Sequence, residues 1–178
     1  MKPKRFIVWL VTLLSFFTVI TPFSEATILY DSTTEDLYKD ESKAITVFGN
    51  SGDNIMLSQS DIDLMAKVVF AESNLEPYDG KVGVASVILN RLKDSKFPNT
   101  IKEVILQKSA FSCVKNGDVS ASTNDTCYRA VLDAIKGVDP TDKAMFFYNP
   151  KIATSKWMFN VKKINIKKIG QHVFFNVN

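Results

Sequence analysis

The chain has 178 residues and a formal net charge of +3 at pH 7, with 46% hydrophobic residues, 23% charged ones, two cysteines and one histidine. That balance is too apolar for a disordered chain and too weakly basic for a nucleic-acid binder, so no nucleic-acid partner is expected. One histidine is too few for a catalytic zinc site, which generally takes three protein ligands dominated by histidine, and neither a metal nor a cofactor is expected.

Met1-Lys-Pro-Lys-Arg5 is a short basic start, and residues 6–20 are almost wholly apolar. Small residues then stand at Ser24 and Ala26. This is the pattern of a secretory signal peptide, residues 1–26, cleaved after Ala26. The apolar run is shorter than the roughly 20 residues needed to span a bilayer, so the remainder is expected to be exported. Residues 27–57 read as a linker, polar at Asp31-Ser-Thr-Thr-Glu-Asp36 and turn-forming at Asn50-Ser-Gly-Asp-Asn54, with a short strand-like run, Ala44-Ile-Thr-Val-Phe48. Charge is unevenly spread. Eight acids against Lys39 and Lys43 lie between Asp31 and Asp63, whereas six lysines and no acid follow from Lys151. A basic C-terminal surface suits a polyanionic partner such as a bacterial wall.

The folded part is placed at residues 58–178. Ser60 with Asp63 resembles a capping box for a first helix reaching residues 72–74. Met65, Val68, Val69 and Glu72 fall on one side of that helix, so the inward stripe ends in a carboxylic acid. Apolar surroundings, the nearby acids Glu76 and Asp79 and the negative helix end would each favour its protonated form. That is the state a general acid for glycosidic cleavage requires. A second helix, residues 80–93, is apolar nearly all round, the mark of a buried scaffold. Thr100 and Glu103 cap a third, short helix running to Gln107. Cys127, Ala130, Val131, Ala134 and Ile135 match a fourth, stopped by Gly137. Three strands follow, at 144–148, 162–166 and 172–175, the last two around a turn at Gly170. Helices followed by a small antiparallel sheet make an α+β domain. Cys113 and Cys127 could close a disulfide around their loop, worth about 3 kcal/mol in the chain-entropy model.

No Gly-x-Ser-x-Gly elbow and no phosphate-binding glycine loop occurs. A Cys–His nucleophile would have to use Cys113 or Cys127 with His172. Carboxylate chemistry with aromatic walls fits better. Tyr78, Phe111, Tyr148 and Trp157 could line a groove in which sugar rings stack, while Gln107, Asn149 and Ser155 supply hydrogen bonds. Phe147 and Phe159 read as core.

Ala66-Lys-Val-Val-Phe-Ala-Glu72, Glu76-Pro-Tyr-Asp-Gly80, Val84-Ala-Ser-Val-Ile-Leu-Asn-Arg91, Phe97-Pro-Asn-Thr100, Phe111-Ser112, Phe147-Tyr-Asn-Pro150, Ala153-Thr-Ser-Lys-Trp157 and Ile169-Gly-Gln-His-Val-Phe174 stand in this order. Together they resemble the cell wall hydrolase family of SleB and CwlJ, the spore cortex-lytic enzymes, over about residues 62–175. The resemblance implies a lysozyme-like, lytic-transglycosylase-like helical domain with a small antiparallel β-sheet. It implies cleavage of the β-1,4 bond between N-acetylmuramic acid and N-acetylglucosamine in peptidoglycan of spore cortex or cell wall, with Glu72 as the catalytic acid. The alternatives are an N-acetylmuramoyl-L-alanine amidase and a non-catalytic wall-binding germination accessory protein. A monomer is expected, with an accessory germination protein as a further partner. Residues 27–57 are too short for the peptidoglycan-binding repeat domain of the longest family members, so wall targeting is expected to rest on the groove, the basic tail or a partner.

Overall fold

The computed structural model describes residues 45–48 and 54–178. The expected signal peptide and most of the expected linker lie outside these residues. Within the linker range, β1 (Ile45–Phe48) and β2 (Asn54–Leu57) pair antiparallel, with Ile45 opposite Leu57. Leu57 is buried in the main core, so the packed unit begins before residue 58.

Helix α1 (Gln59–Ser73) starts two residues earlier than the sequence pattern suggests. Its N-cap is Ser58, whose hydroxyl accepts from the Asp61 amide while Asp61 accepts from the Ser58 amide. Buried Leu57 fixes the chain immediately upstream, so the first serine after it takes the cap. Ser60 and Asp63 instead bond to Ser58 and Gln59. Met65, Ala66, Val68 and Val69 are completely buried.

Helix α2 (Tyr78–Lys93) is the central scaffold: every residue from Gly80 to Leu89 is buried, and it packs against α1, α3 (Ile101–Leu106) and α4 (Asp125–Ile135). Gly83 lets the Phe174 ring of the C-terminal sheet lie directly on the helix, since a Cβ there would meet it at 2.8 Å. Helix α3 is capped by Thr100, whose hydroxyl accepts from the Glu103 amide. Helix α4 is capped by Asn124 and gives way to Gly137 at φ +97°. Between α3 and α4, β3 (Val114–Lys115) and β4 (Asp118–Val119) form a tiny hairpin in a stretch whose sequence pattern reads as loop. Its turn residues Asn116 and Gly117 both have positive φ, as a type I′ turn demands.

The C-terminal sheet is antiparallel in the order β5 (Phe146–Tyr148), β7 (His172–Val177), β6 (Lys163–Ile169), with α5 (Lys156–Asn160) between β5 and β6 in sequence. Phe147 pairs with Phe174 and Phe146 with Phe175. Because side chains alternate along a strand, β5 has two aromatic faces. Phe147 meets Phe174 and His172 in the layer against the helices, while Phe146 and Tyr148 meet Phe175 on the other side.

Two polar devices, one buried and one half-buried, hold the corners. Lys81, in the first turn of α2, donates to the carbonyls of Ser73 (2.6 Å), Asn74 (2.8 Å) and Glu76 (2.8 Å). Carbonyls at a helix C-terminus lack intrahelical partners and carry negative partial charge, so a buried ammonium satisfies both needs. Before β5, Asp139 accepts from Asn90, from the Thr141 hydroxyl and amide, and from the Lys143 amide.

Lys81→Met removes the donor and strands three carbonyls, so a loss of about 3 kcal/mol is expected in denaturant unfolding. For Asp139, burial alone would raise the carboxyl pKa, but the hydrogen bonds from Thr141, Asn90 and the two amides outweigh it and hold it below its ordinary value. A depressed folded pKa contributes stability above the unfolded value and loses it as pH falls through the folded one. Thermal melts should therefore show Asp139→Asn less stable at neutral pH, with the gap to the parent closing below about pH 4.

Candidate active site

Glu72 is the penultimate residue of α1 and is half-buried at the end of the Met65, Val68, Val69 stripe. Its Oε1 accepts two hydrogen bonds, from the Ser112 hydroxyl at 2.9 Å and from the Cys113 amide at 3.0 Å. The loop that supplies them is itself anchored. Phe111 is buried, packs on Phe147 with centroids 6.2 Å apart, and lies under the Arg91 guanidinium at 5.1 Å. Arg91 also covers Phe97 and Phe146, both at 5.5 Å, and donates from Nε to the Met145 carbonyl. Burial lowers its pKa to about 10, which leaves it cationic at neutral pH. One α2 side chain thus fastens both the loop beside Glu72 and the start of β5.

The Cys113 thiol lies against the same carboxylate. Burial first, then the Glu72 charge and a hydrogen bond to it, push the thiol up to about 12. A nucleophilic cysteine needs the opposite environment. Cys127 is fully buried on the inward side of α4, and burial raises its pKa too. The two cysteines are separate free thiols, so the disulfide raised as an option from the sequence is absent: Cys113 is turned toward Glu72, and Cys127 toward the core near Lys81.

His172 opens β7 on the same side as Glu72. It is 6% exposed, stands edge-on to Phe147 (5.1 Å) and Phe174 (6.0 Å), and its Nδ1 has no hydrogen-bond partner among the described residues. Burial lowers its pKa, opposed by the charges of Glu76 and Glu72. The imidazole is therefore neutral at neutral pH. Glu76 ties the chain elsewhere, its Oε2 accepting from the Gln171 amide at 2.8 Å. The β6–β7 turn presses onto it through Gly170, at φ +57°, where a Cβ would collide with Glu76 and with Pro77. The α1–α2 corner and the sheet are thereby locked together beside Glu72.

The other residues proposed from sequence are scattered around this centre. Phe111 supports the Glu72 loop from below. Tyr78 binds Asp133 on α4 at 2.6 Å, and burial together with that acid raises its phenol to about 12. Gln107 is exposed at the end of α3. Asn149 folds back on its own turn, accepting from the Lys151 amide, and Ser155 caps α5. Tyr148 and Trp157 belong to the sheet face opposite Phe147, where Trp157 packs on Phe146 at 5.3 Å. Phe147 is core as expected, whereas Phe159 is 51% exposed. Ser112 and His172 are neighbours of Glu72, and Arg91 supports its loop through Phe111; periodicity singles out none of the three. Ser112 stands beside Phe111 in one of the quoted motifs, and that adjacency is the signal that could have found it. Among the described residues no three His, Cys, Asp or Glu side chains gather to hold a metal ion.

Residues 75–175 match the family model described as Cell Wall Hydrolase. A spore cortex-lytic enzyme of Bacillus cereus is 49% identical over 127 residues, 70% of this chain and 48% of that protein, so the chain spans about half the length of this curated relative. The crystal structure of the catalytic domain of the Bacillus cereus SleB protein is similar with a TM-score of 0.60 at 50% identity, covering 67% of this chain and 91% of that one. The catalytic domain of the germination-specific lytic transglycosylase SleB from Bacillus anthracis gives 0.62 at 48% identity, covering 67% and 97%. The α+β fold is thus shared with solved relatives, and with the family match across more than half its length the chain belongs to the cell wall hydrolase family.

Proposed function

We propose that the protein cleaves peptidoglycan outside the cytoplasm, as a lytic transglycosylase acting on the β-1,4 bond between N-acetylmuramic acid and N-acetylglucosamine, with Glu72 as its acid and base. The observation that carries this reading is the pinning of one Glu72 oxygen, Oε1, by Ser112 and Cys113 at the end of an apolar stripe. The matched family stretch begins at Leu75, so the role of Glu72 rests on this geometry and on the motif that ends in it. Oε2 is assigned the proton in transit. It protonates the leaving glycosidic oxygen as the bond to the muramic anomeric carbon breaks. The resulting carboxylate then takes the proton of the muramic C6 hydroxyl, whose oxygen bonds to that anomeric carbon and closes a 1,6-anhydro ring. One acid completes the cycle, without the second carboxylate at fixed spacing that ordinary glycosidases use. The raised thiol of Cys113 and the buried neutral His172 support this reading over a Cys–His peptidase. The close SleB likeness favours cortex as the substrate.

Purified protein incubated with cortex and with vegetative peptidoglycan should release anhydro-muropeptides detectable by mass spectrometry. New reducing ends without anhydro sugars, or free stem peptides, would refute the transglycosylase assignment. Glu72→Gln keeps the shape and loses the proton, and should lower kcat by about 10³-fold or more while wall binding persists. Ser112→Ala frees one side of the carboxylate and should lower kcat about tenfold with KM little changed, the cost of one charge-assisted hydrogen bond.

A further inference from the structure

The sheet has an outer face that the chemistry at Glu72 does not use. On β5, Phe147 points to the Glu72 loop, and Phe146 and Tyr148 point the other way. Those two rings and Phe175 form a second apolar layer, roofed by Trp157 and Phe159 of α5. Although Phe175 beneath them is completely buried, Trp157 and Phe159 stay 47% and 51% exposed. Cations border the rings. Lys163 lies 5.3 Å from both the Tyr148 and Phe175 centroids. Its cross-strand partner is Val177, while Lys168 pairs with Val173, so the register puts both lysines on this face. Lys156 opens α5 and Lys162 follows it, and no acid occurs anywhere from Lys151 to Asn178.

We propose that this outer face is a second binding surface for peptidoglycan, engaging a glycan strand other than the one in the Glu72 cleft. The proposal rests on the peptidoglycan-cleaving reading above. Pyranose rings present flat apolar faces that half-exposed aromatic rings can cover, and stem peptides carry carboxylates that lysines attract, so the ligand has the two chemistries the face displays. An anionic polymer without rings would need only the lysines. The β5 strand separates this face from Glu72, so a chain bound here is not presented to the carboxylate. Its effect is to hold the enzyme on a cross-linked network that offers several strands at once, which raises apparent affinity without changing the bond-breaking step.

The test compares the parent with Phe159→Ala/Lys156→Gln/Lys168→Gln. Co-sedimentation with insoluble peptidoglycan, in a Glu72→Gln background that leaves the wall intact, should weaken about tenfold. KM on insoluble wall should rise by a similar factor, while kcat and KM on short, soluble, un-cross-linked strands stay within about twofold. Unchanged wall binding, or equal losses on both substrates, would overturn the proposal. So would retention on phosphatidylglycerol vesicles that falls with the variant while wall binding holds, because the face would then serve a lipid surface. If the triple variant melts early, Lys156→Gln/Lys168→Gln alone, at two exposed positions, must still show the wall-selective loss. Absence of bond cleavage by the parent on either substrate would sink the function proposed above and leave the sedimentation result readable by itself.

Discussion

The corner where α1 ends and α2 begins is held by one buried ammonium. Lys81 collects the carbonyls of Ser73, Asn74 and Glu76, and the Ser73 hydroxyl turns back to the Val69 carbonyl. Glu72 is the residue immediately before this knot and Glu76 is part of it. Carbonyls left without donors in a buried corner would be costly, and a frayed α1 would carry Glu72 with it. From the same corner, Glu76 reaches the Gln171 amide and ties the helices to the sheet. The position of the acid thus depends on a lysine of the neighbouring helix.

The second fastening is Arg91. Its planar cation lies over Phe97, Phe111 and Phe146, three rings from three parts of the chain, and its Nε–H holds the Met145 carbonyl. Arginine suits this place because its charge is spread over a plane that stacks on rings while its edge still donates. With Lys81 on one side and Arg91 on the other, α2 sets the two components of the site, the end of α1 and the Phe111–Cys113 loop. Its central stretch, Gly80 to Leu89, is buried throughout.

The ionisable neighbours are held in uncharged forms. The Cys113 thiol is kept protonated by burial and by the carboxylate it faces, and His172 is kept neutral by its aromatic cage. Neither contributes a competing nucleophile or a fixed positive charge next to Glu72 at neutral pH. The sheet divides labour by strand alternation, with Phe147 supporting the reactive side and Phe146 and Tyr148 building a separate, lysine-bordered surface.

Local pattern was enough for the first four helices but not for α5, which it did not foresee. The stripe of α1, the all-round burial of α2, the Thr100 cap and the Gly137 stop follow from spacing and capping chemistry, which act within a turn or two of helix. Glu72 was legible for the same reason, being the charged residue at the end of an apolar stripe, and the ordered motifs carried the family. What spacing could not supply were the contacts that cross long stretches of chain. Ser112 reaches Glu72 over 40 positions and Glu76 meets Gln171 over 95, and no periodicity encodes such pairs. Tyr78 sits near Glu72 in sequence, yet its hydroxyl is taken by Asp133 on α4. Cys113 and Cys127 looked like partners by separation alone, but one is drawn to the site and the other to the core. Sequence by itself determined the first four helices, the three strands of the C-terminal sheet and which acid ends the buried stripe, since those are local matters of pattern. Tertiary structure decided what surrounds that acid, because its companions arrive from remote segments that only packing brings together.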